Sequence, residues 1–315
     1  MAKIGLGTAA IGRPLYINIK EKNTSKPFDK EEFIREGEAL LDFAYAKGIR
    51  ILDTAPGYGL AENLVLEWLK QRKISDVFVS SKWGYTYVAD FSETAKEHEV
   101  KEHSLAKLNE QWKVTKELLP SLNTYQIHSA TLDTGVLQNT DVLKRLYELK
   151  KKHHVAIGIT TTGHNQLEVT RLAMNVQVEN EALFDSFQVT YNVFDQRIAE
   201  LVDTDFDRKI IIKEALANGR VFPNVQRYPQ YEAHYDLLLE LSKKYTVEID
   251  AIALRFCMDS IKSDIVLSGA NTQKQLAENL KAYDFVLTEE EIARIKMLKV
   301  DPEGYWSERK KLEWN

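Results

Sequence analysis

A carboxylate, a phenol, an ammonium and an imidazole stand at comparable places in the first half of this 315-residue chain, each at or just beyond the end of a short apolar run. Ile51-Leu52-Asp53 leads through Thr54-Ala55-Pro56-Gly57 to Tyr58; Val79-Ser80-Ser81 leads to Lys82; Tyr125-Gln126-Ile127 leads to His128. These four types make a proton-transfer set. A phenol, with an ordinary pKa of about 10, gives up a proton poorly near neutrality unless its phenolate is stabilised. Lys82 is expected to lower the pKa of Tyr58, because an opposite charge within a few ångströms favours the ionised form. Asp53 is expected to keep a half-buried lysine charged, and His128 to hydrogen-bond a carbonyl and orient it beneath Tyr58.

Taken singly, each residue has a plainer use: Asp caps a turn, Lys reaches to solvent, His satisfies a backbone carbonyl. What joins them is the pattern of elements. Short β-branched runs at 3–7, 50–54, 76–81, 124–128, 156–160, 186–191, 209–214 and 264–268 alternate with amphipathic segments at 30–47, 61–71, 105–118, 141–152, 165–174, 196–203, 230–244 and 272–281. Eight such units predict an α/β fold, a (β/α)8 TIM barrel, in preference to an open doubly wound sheet. Helical segments at 249–260 and 289–298 exceed the repeat and are expected as additions on the barrel's outside or ends, with a C-terminal tail beyond. Length alone allows one barrel or two modest domains. No Pro/Gly/Ser-rich linker divides the chain, so residues 1–315 are read as one domain. A barrel places its chemistry at the carboxyl ends of its strands, so three successive strands bring the four residues to one rim.

Composition narrows the partners. The 42 basic and 47 acidic residues nearly balance, without the long single-sign block of a nucleic-acid binder, so a small molecule is the expected partner, with no nucleic acid. Cys257 is the sole cysteine, its flanks Leu254, Phe256 and Met258 suggest an inert core thiol, and a reducing compartment fits. No run of 18 apolar residues occurs, and residues 1–12 lack a basic stretch followed by an apolar one. A cytoplasmic protein with no membrane partner is expected.

Gly5-Leu6-Gly7-Thr8-Ala9, Asp53-Thr54-Ala55-Pro56-Gly57-Tyr58-Gly59, Ser81-Lys82-Trp83-Gly84 and Gln126-Ile127-His128 together resemble the aldo-keto reductase superfamily. The likeness covers nearly the whole chain and implies a catalytic tetrad of Asp53, Tyr58, Lys82 and His128. It further implies NAD(P)H-dependent reduction of an aldehyde, ketone or sugar-like carbonyl, or oxidation of the corresponding alcohol. Val266-Leu267-Ser268-Gly269-Ala270-Asn271-Thr272, with Gln275 and Glu278-Asn279, resembles the loop and helix that hold the cofactor's adenosine phosphate and adenine. By the same resemblance Gln188 meets the nicotinamide carboxamide, with Tyr191 in the same segment, and Thr160 supplies a hydroxyl where many members carry Ser-Asn. Lys213, in a Lys-Glu-Ala-Leu that replaces the usual Ser-Pro-Leu, is assigned to the pyrophosphate. The adenosine-phosphate loop offers Asn271, Thr272 and Lys274 where Lys and Arg are often found; NADP is the cofactor implied, with NAD also compatible.

Other patterns lead elsewhere. Gly5-x-Gly7-x-x-Ala10 matches a dinucleotide fingerprint on paper, but Pro14 follows and residues 16–26 carry no helical pattern. His98 with His103, and His153 with His154, lack metal-ligand spacing, so no metal is expected. Trp83 and Tyr85 are expected to wall an apolar or sugar-stacking substrate pocket; Tyr87, Tyr305, Trp306 and Trp314 are further aromatics of the same interest. Two other functions remain open on sequence: a cofactor-binding regulatory barrel without turnover, and a metal-dependent barrel hydrolase or isomerase.

Overall fold

The computed structural model describes residues 1–15, 28–92, 94–202 and 206–314. The segment 16–26, read above as lacking a helix, lies outside the described residues.

Eight strands close into a barrel: β1 (Lys3–Gly7), β2 (Ile51–Asp53), β3 (Phe78–Trp83), β4 (Leu122–Ala130), β5 (Ala156–Thr161), β6 (Ser186–Thr190), β7 (Lys209–Lys213) and β8 (Ile265–Ser268). Each strand pairs in parallel with its sequence neighbours, and β8 returns to β1 with Lys3 opposite Ile265. This is the TIM barrel that the alternation predicts. Strands of such a barrel are covered on both faces, which is why Ile210-Ile211-Ile212 and Ile157-Gly158-Ile159 read as unbroken apolar runs.

After a short helical turn at Ala9–Gly12, the helices are α1 (Lys30–Ala46), α2 (Ala61–Arg72), α3 (Leu105–Thr115), α4 (Thr140–His153), α5 (Gln166–Met174), α6 (Ala199–Val202), α7 (Glu232–Tyr245), α8 (Ile249–Asp259), α9 (Gln273–Leu280), α10 (Glu289–Lys296) and α11 (Pro302–Lys310). Their ends follow local chemistry. Asp29 opens α1 by accepting the amides of Glu31 and Glu32, and the helix then buries Gly37, Leu40, Leu41 and Ala44 at helical spacing. Thr288 and Glu291 form a reciprocal capping box at α10. α8 is buried from Ile249 through Met258 because α7 and α9 pack against it on either side. No helix among the described residues is long and apolar enough to cross a membrane.

Two expectations need adjusting. The helix expected at 196–203 shrinks to the single turn α6, and Asp203 lies outside the described residues. Asn192 accepts the amides of Phe194 and Asp195 through its side chain, and Asp195 is drawn to Gln166 and Trp306, which holds the preceding residues in a loop. Beyond the expected tail, α11 forms behind Asp301, and two short antiparallel hairpins appear, one of which pairs Tyr85–Tyr87 with Glu99–Lys101 over the barrel mouth.

Inside the barrel, polar side chains form a layer beneath the mouth. Gln126 donates to the Ser80 hydroxyl at 2.6 Å and reaches Asp53 at 3.5 Å. Gly158 makes room for it: a Cβ there would stand 2.5 Å from the Ser186 hydroxyl and 2.8 Å from Gln126.

Candidate active site

Asp53 ends β2, in register with Gly7 of β1 and Ser80 of β3. Its carboxylate accepts from the Lys82 ammonium at 2.5 Å and from Gln188 at 2.8 Å. Lys82 is fully buried and also donates to the Thr54 carbonyl at 3.0 Å. A buried ion pair of this kind is held by complementary bonds on both sides, and removing one partner strands the other's charge.

The chain then turns sharply through Pro56–Tyr58 to present the phenol. The turn is seated on the end of the short helical turn Ala9–Gly12. Leu60 donates its amide to the Gly12 carbonyl at 2.8 Å, and a Cβ on Gly12 would lie 2.0 Å from the Tyr58 carbonyl. Gly59 takes φ +64, the left-handed region that glycine enters without cost.

The Tyr58 hydroxyl lies 3.4 Å from Nε2 of His128, and the Lys82 ammonium sits 4.6 Å from the centre of the Tyr58 ring. His128 reaches the rim because β4 slips register between Ile127 and Ala130, with Ser129 at φ +52 and its amide donated to Thr160 at 2.6 Å. Burial, with Lys82 and Arg13 nearby, pushes the His128 imidazole well below its ordinary range, so the ring is neutral. A neutral imidazole carries one N–H, which suits it to polarise a carbonyl oxygen.

The phenol does not behave as expected. Burial first, and the Asp53 carboxylate second, push Tyr58 well above 10, with the Arg13 guanidinium opposing them. The expected lowering by Lys82 is therefore corrected: the Asp53 carboxylate bound to it at 2.5 Å offsets the ammonium, and the phenol is raised rather than lowered.

A cavity of about 310 Å³ opens over these residues and extends to the start of α9. Asp53, Tyr58, His128, Thr160, Gln188, Lys213, Gly269, Ala270, Asn271, Gln275 and Asn279 all line it. Lys82 lies beneath, in contact through Asp53. The other named residues are elsewhere. Tyr191 is fully buried outside the cavity, stacked on Phe256, its hydroxyl 2.8 Å from Ser260 and its carbonyl facing the buried Cys257 thiol. Trp83 is fully buried against His103 and does not line this cavity. Tyr85 stands beside the cavity, its ring 4.7 Å from the His128 ring. Thr272 caps α9 by accepting the Gln275 amide, and Glu278 pairs with Lys281 at 2.6 Å.

Five charged lining residues, Arg13, Glu99, Glu214, Asp250 and Arg309, escaped the sequence reading. Arg13 bonds Glu99 at 2.8 Å, and Arg309 of α11 grips Glu214 through two nitrogens at 3.0 and 2.7 Å. Burial would raise the Glu214 carboxyl, but Arg309 and Lys213 outweigh it and hold it at about 2. Burial lowers the Lys213 ammonium, which donates to Thr190 at 2.8 Å. The Arg13–Glu99 and Arg309–Glu214 pairs each join residues more than 80 positions apart, and no local pattern announces them.

The Aldo/keto reductase family model matches residues 3–299. Aldo-keto reductase YhdN of Bacillus subtilis (strain 168) is 26% identical over 306 residues, covering 87% of this chain and 83% of that protein. Among solved structures, aldo-keto reductase AKR11C1 from Bacillus halodurans in its holo form superimposes with a TM-score of 0.66 at 22% identity, over 94% of this chain and 91% of that one. Glycerol dehydrogenase AKR11B4 from Gluconobacter oxydans gives 0.66 at 21% identity, over 94% and 90%. With the barrel, the rim cluster and a match spanning nearly its whole length, this chain belongs to the aldo/keto reductase family of oxidoreductases.

Proposed function

We propose that this oxidoreductase reduces an aldehyde, ketone or sugar-like carbonyl with a nicotinamide cofactor, or oxidises the corresponding alcohol, with Tyr58 as the proton donor. The observation that carries this reading is the Tyr58 hydroxyl 3.4 Å from a neutral His128, beside the buried Lys82–Asp53 pair and facing the cavity. His128 polarises and orients the carbonyl oxygen. Tyr58 Oη then passes its proton to that oxygen, and takes one back in the oxidative direction. Negative charge on Tyr58 is met by the Arg13 guanidinium, whose carbon lies 5.4 Å from the ring centre.

The lining suits a nicotinamide dinucleotide. Gln188 and Thr160 would hold the carboxamide end; Lys213, a half-buried ammonium bonded among the described residues to a neutral hydroxyl, has charge to offer a diphosphate. Asn271, Gln275 and Asn279 would receive the adenosine end. When bound, the cofactor supplies or accepts hydride. NADP is the cofactor the family resemblance implies, and Lys274, exposed on the first turn of α9, is the cation placed to meet its extra phosphate. NAD is the second reading, favoured by Asp250, which lines the cavity bonded to Asn279 and would repel a phosphate.

The test is a panel of aldehydes, ketones, sugars and alcohols, read by the nicotinamide absorbance with each dinucleotide. Turnover of a carbonyl or an alcohol is the expected result. Tight dinucleotide binding without turnover across the panel would replace it with the regulatory reading.

A further inference from the structure

We propose that Arg13 is a positioning residue for Tyr58: it holds the turn that presents the phenol and, balanced against Glu99, sets how readily that phenol releases its proton. The inference rests on the reading of Tyr58 as proton donor, but it concerns residues outside the four-residue cluster.

Arg13 follows Gly12, whose backbone is fixed against the Tyr58 turn. Its guanidinium, only 3% exposed, donates from Nη1 to the Gly57 carbonyl at 3.1 Å and to Glu99 at 2.8 Å. The guanidinium carbon lies 5.4 Å from the centre of the Tyr58 ring and 4.6 Å from that of Trp314, which is itself stacked on His98 at 4.3 Å. An aromatic neighbour and near-complete burial keep water from screening the charge, so it acts on the phenol at low local dielectric.

The charges that face Tyr58 come from several elements: Asp53 from β2, Lys82 from β3, neutral His128 from β4, Glu99 from the hairpin, Glu214 after β7, and Arg13. Lys82 is matched by Asp53, 5% exposed, in a sealed pair, and Arg309, itself 20% exposed, is matched by Glu214, 8% exposed. Glu99 is 25% exposed. Solvent therefore weakens the carboxylate's share at the ring more than the guanidinium's, and the Arg13–Glu99 pair leaves a net positive effect on the phenol. During reduction the O–H bond of Tyr58 breaks as a new O–H bond forms on the carbonyl oxygen, while the carbonyl carbon receives hydride from the reduced cofactor. The electron pair left on Tyr58 Oη is what Arg13 stabilises.

The experiment uses Arg13→Met, Arg13→Lys, Glu99→Gln and Tyr58→Phe in the full chain. Two quantities are read: the pH dependence of kcat/KM for carbonyl reduction, and the ultraviolet phenolate titration of cofactor-free protein, each variant against the same variant carrying Tyr58→Phe. Arg13→Met is expected to move the Tyr58 midpoint to higher pH, Glu99→Gln to lower pH, and Arg13→Lys to restore most of the wild-type position. A merely structural role would not produce shifts of opposite sign. Should Arg13→Met fail to fold, Glu99→Gln alone decides, since an unmoved midpoint there overturns the inference. Shifts in the same direction, or none, with Tyr58→Phe inactive, overturn the role of Arg13 alone; a fully active Tyr58→Phe overturns the reading beneath it.

Discussion

Lys82 and Asp53 illustrate how little a single side chain means away from its partner. The ammonium is fully buried and the carboxylate nearly so; each is satisfied by the other, the ammonium also by Thr54 and the carboxylate also by Gln188 and Gln126. Replacing Lys82 with Met should therefore destabilise the fold by about 3–5 kcal/mol, because Asp53 is left charged without its cation. Denaturant unfolding of Lys82→Met beside the double variant Lys82→Met/Asp53→Asn measures this, and the double variant should recover part of the loss. At the other end of the cavity, Lys274→Ala should weaken NADP binding several-fold and leave NAD binding unchanged, which parallel titrations with the two dinucleotides would show. Asp53, Tyr58, Lys82 and His128 were legible in the sequence because each ends or follows a recognisable strand. Arg13, Glu99, Glu214 and Arg309 were not, since their partners are fixed only when distant loops meet over the mouth. Trp83 misled for a related reason: its neighbour Lys82 points toward the barrel interior, and alternation along a strand sends the next side chain to the opposite face.

The barrel strands could be read because burial on both faces leaves continuous apolar runs bounded by turns, and every strand fell within three residues of its expected position. The long helices were equally clear, with Leu40, Leu41 and Ala44, or Val142, Leu143, Leu146 and Leu149, at helical spacing. α11 was hidden because Pro302 to Lys310 includes Gly304 and buries only Tyr305 and Trp306, too few for a periodic signal. Its formation depends on tertiary bonds: Tyr305 receives a hydrogen bond from Asn192, and Trp306 donates to Asp195 at 2.9 Å. Gly158 of β5 tests the packing of the polar layer under the site. A methyl there would collide with Ser186 and Gln126, so Gly158→Ala should cost about 1–3 kcal/mol and reduce turnover through the displaced Gln126 and Asp53. Thermal melts and steady-state kinetics on the same preparation check both parts.

Over the whole molecule, the C-terminal helix is bound back onto the barrel mouth by charge. Arg309 bonds Glu214, and Arg220 reaches both the Tyr305 carbonyl and Glu308. Glu214 has its carboxyl at about 2 against an ordinary 4.5, so its contribution, on the order of 3 kcal/mol, is present above pH 4.5 and is lost as pH falls toward 2. Buried neutral His128 works in the same direction, since its unfolded form gains a proton below about pH 6.5. Stability measured by denaturant titration from pH 7 downward should decline in the wild type, and Glu214→Gln should start lower at pH 7 but lose less on acidification. Parallel slopes for the two proteins below pH 4.5 would remove Glu214 from that account.

All of this converges on the proton carried by Tyr58. The most direct measurement is single-turnover carbonyl reduction by Tyr58→Phe alongside its dinucleotide affinity. A loss of rate on the order of 100- to 10,000-fold, with cofactor affinity nearly unchanged, is the predicted result. A rate equal to that of the wild type would contradict the account, because the proton would then be coming from another group.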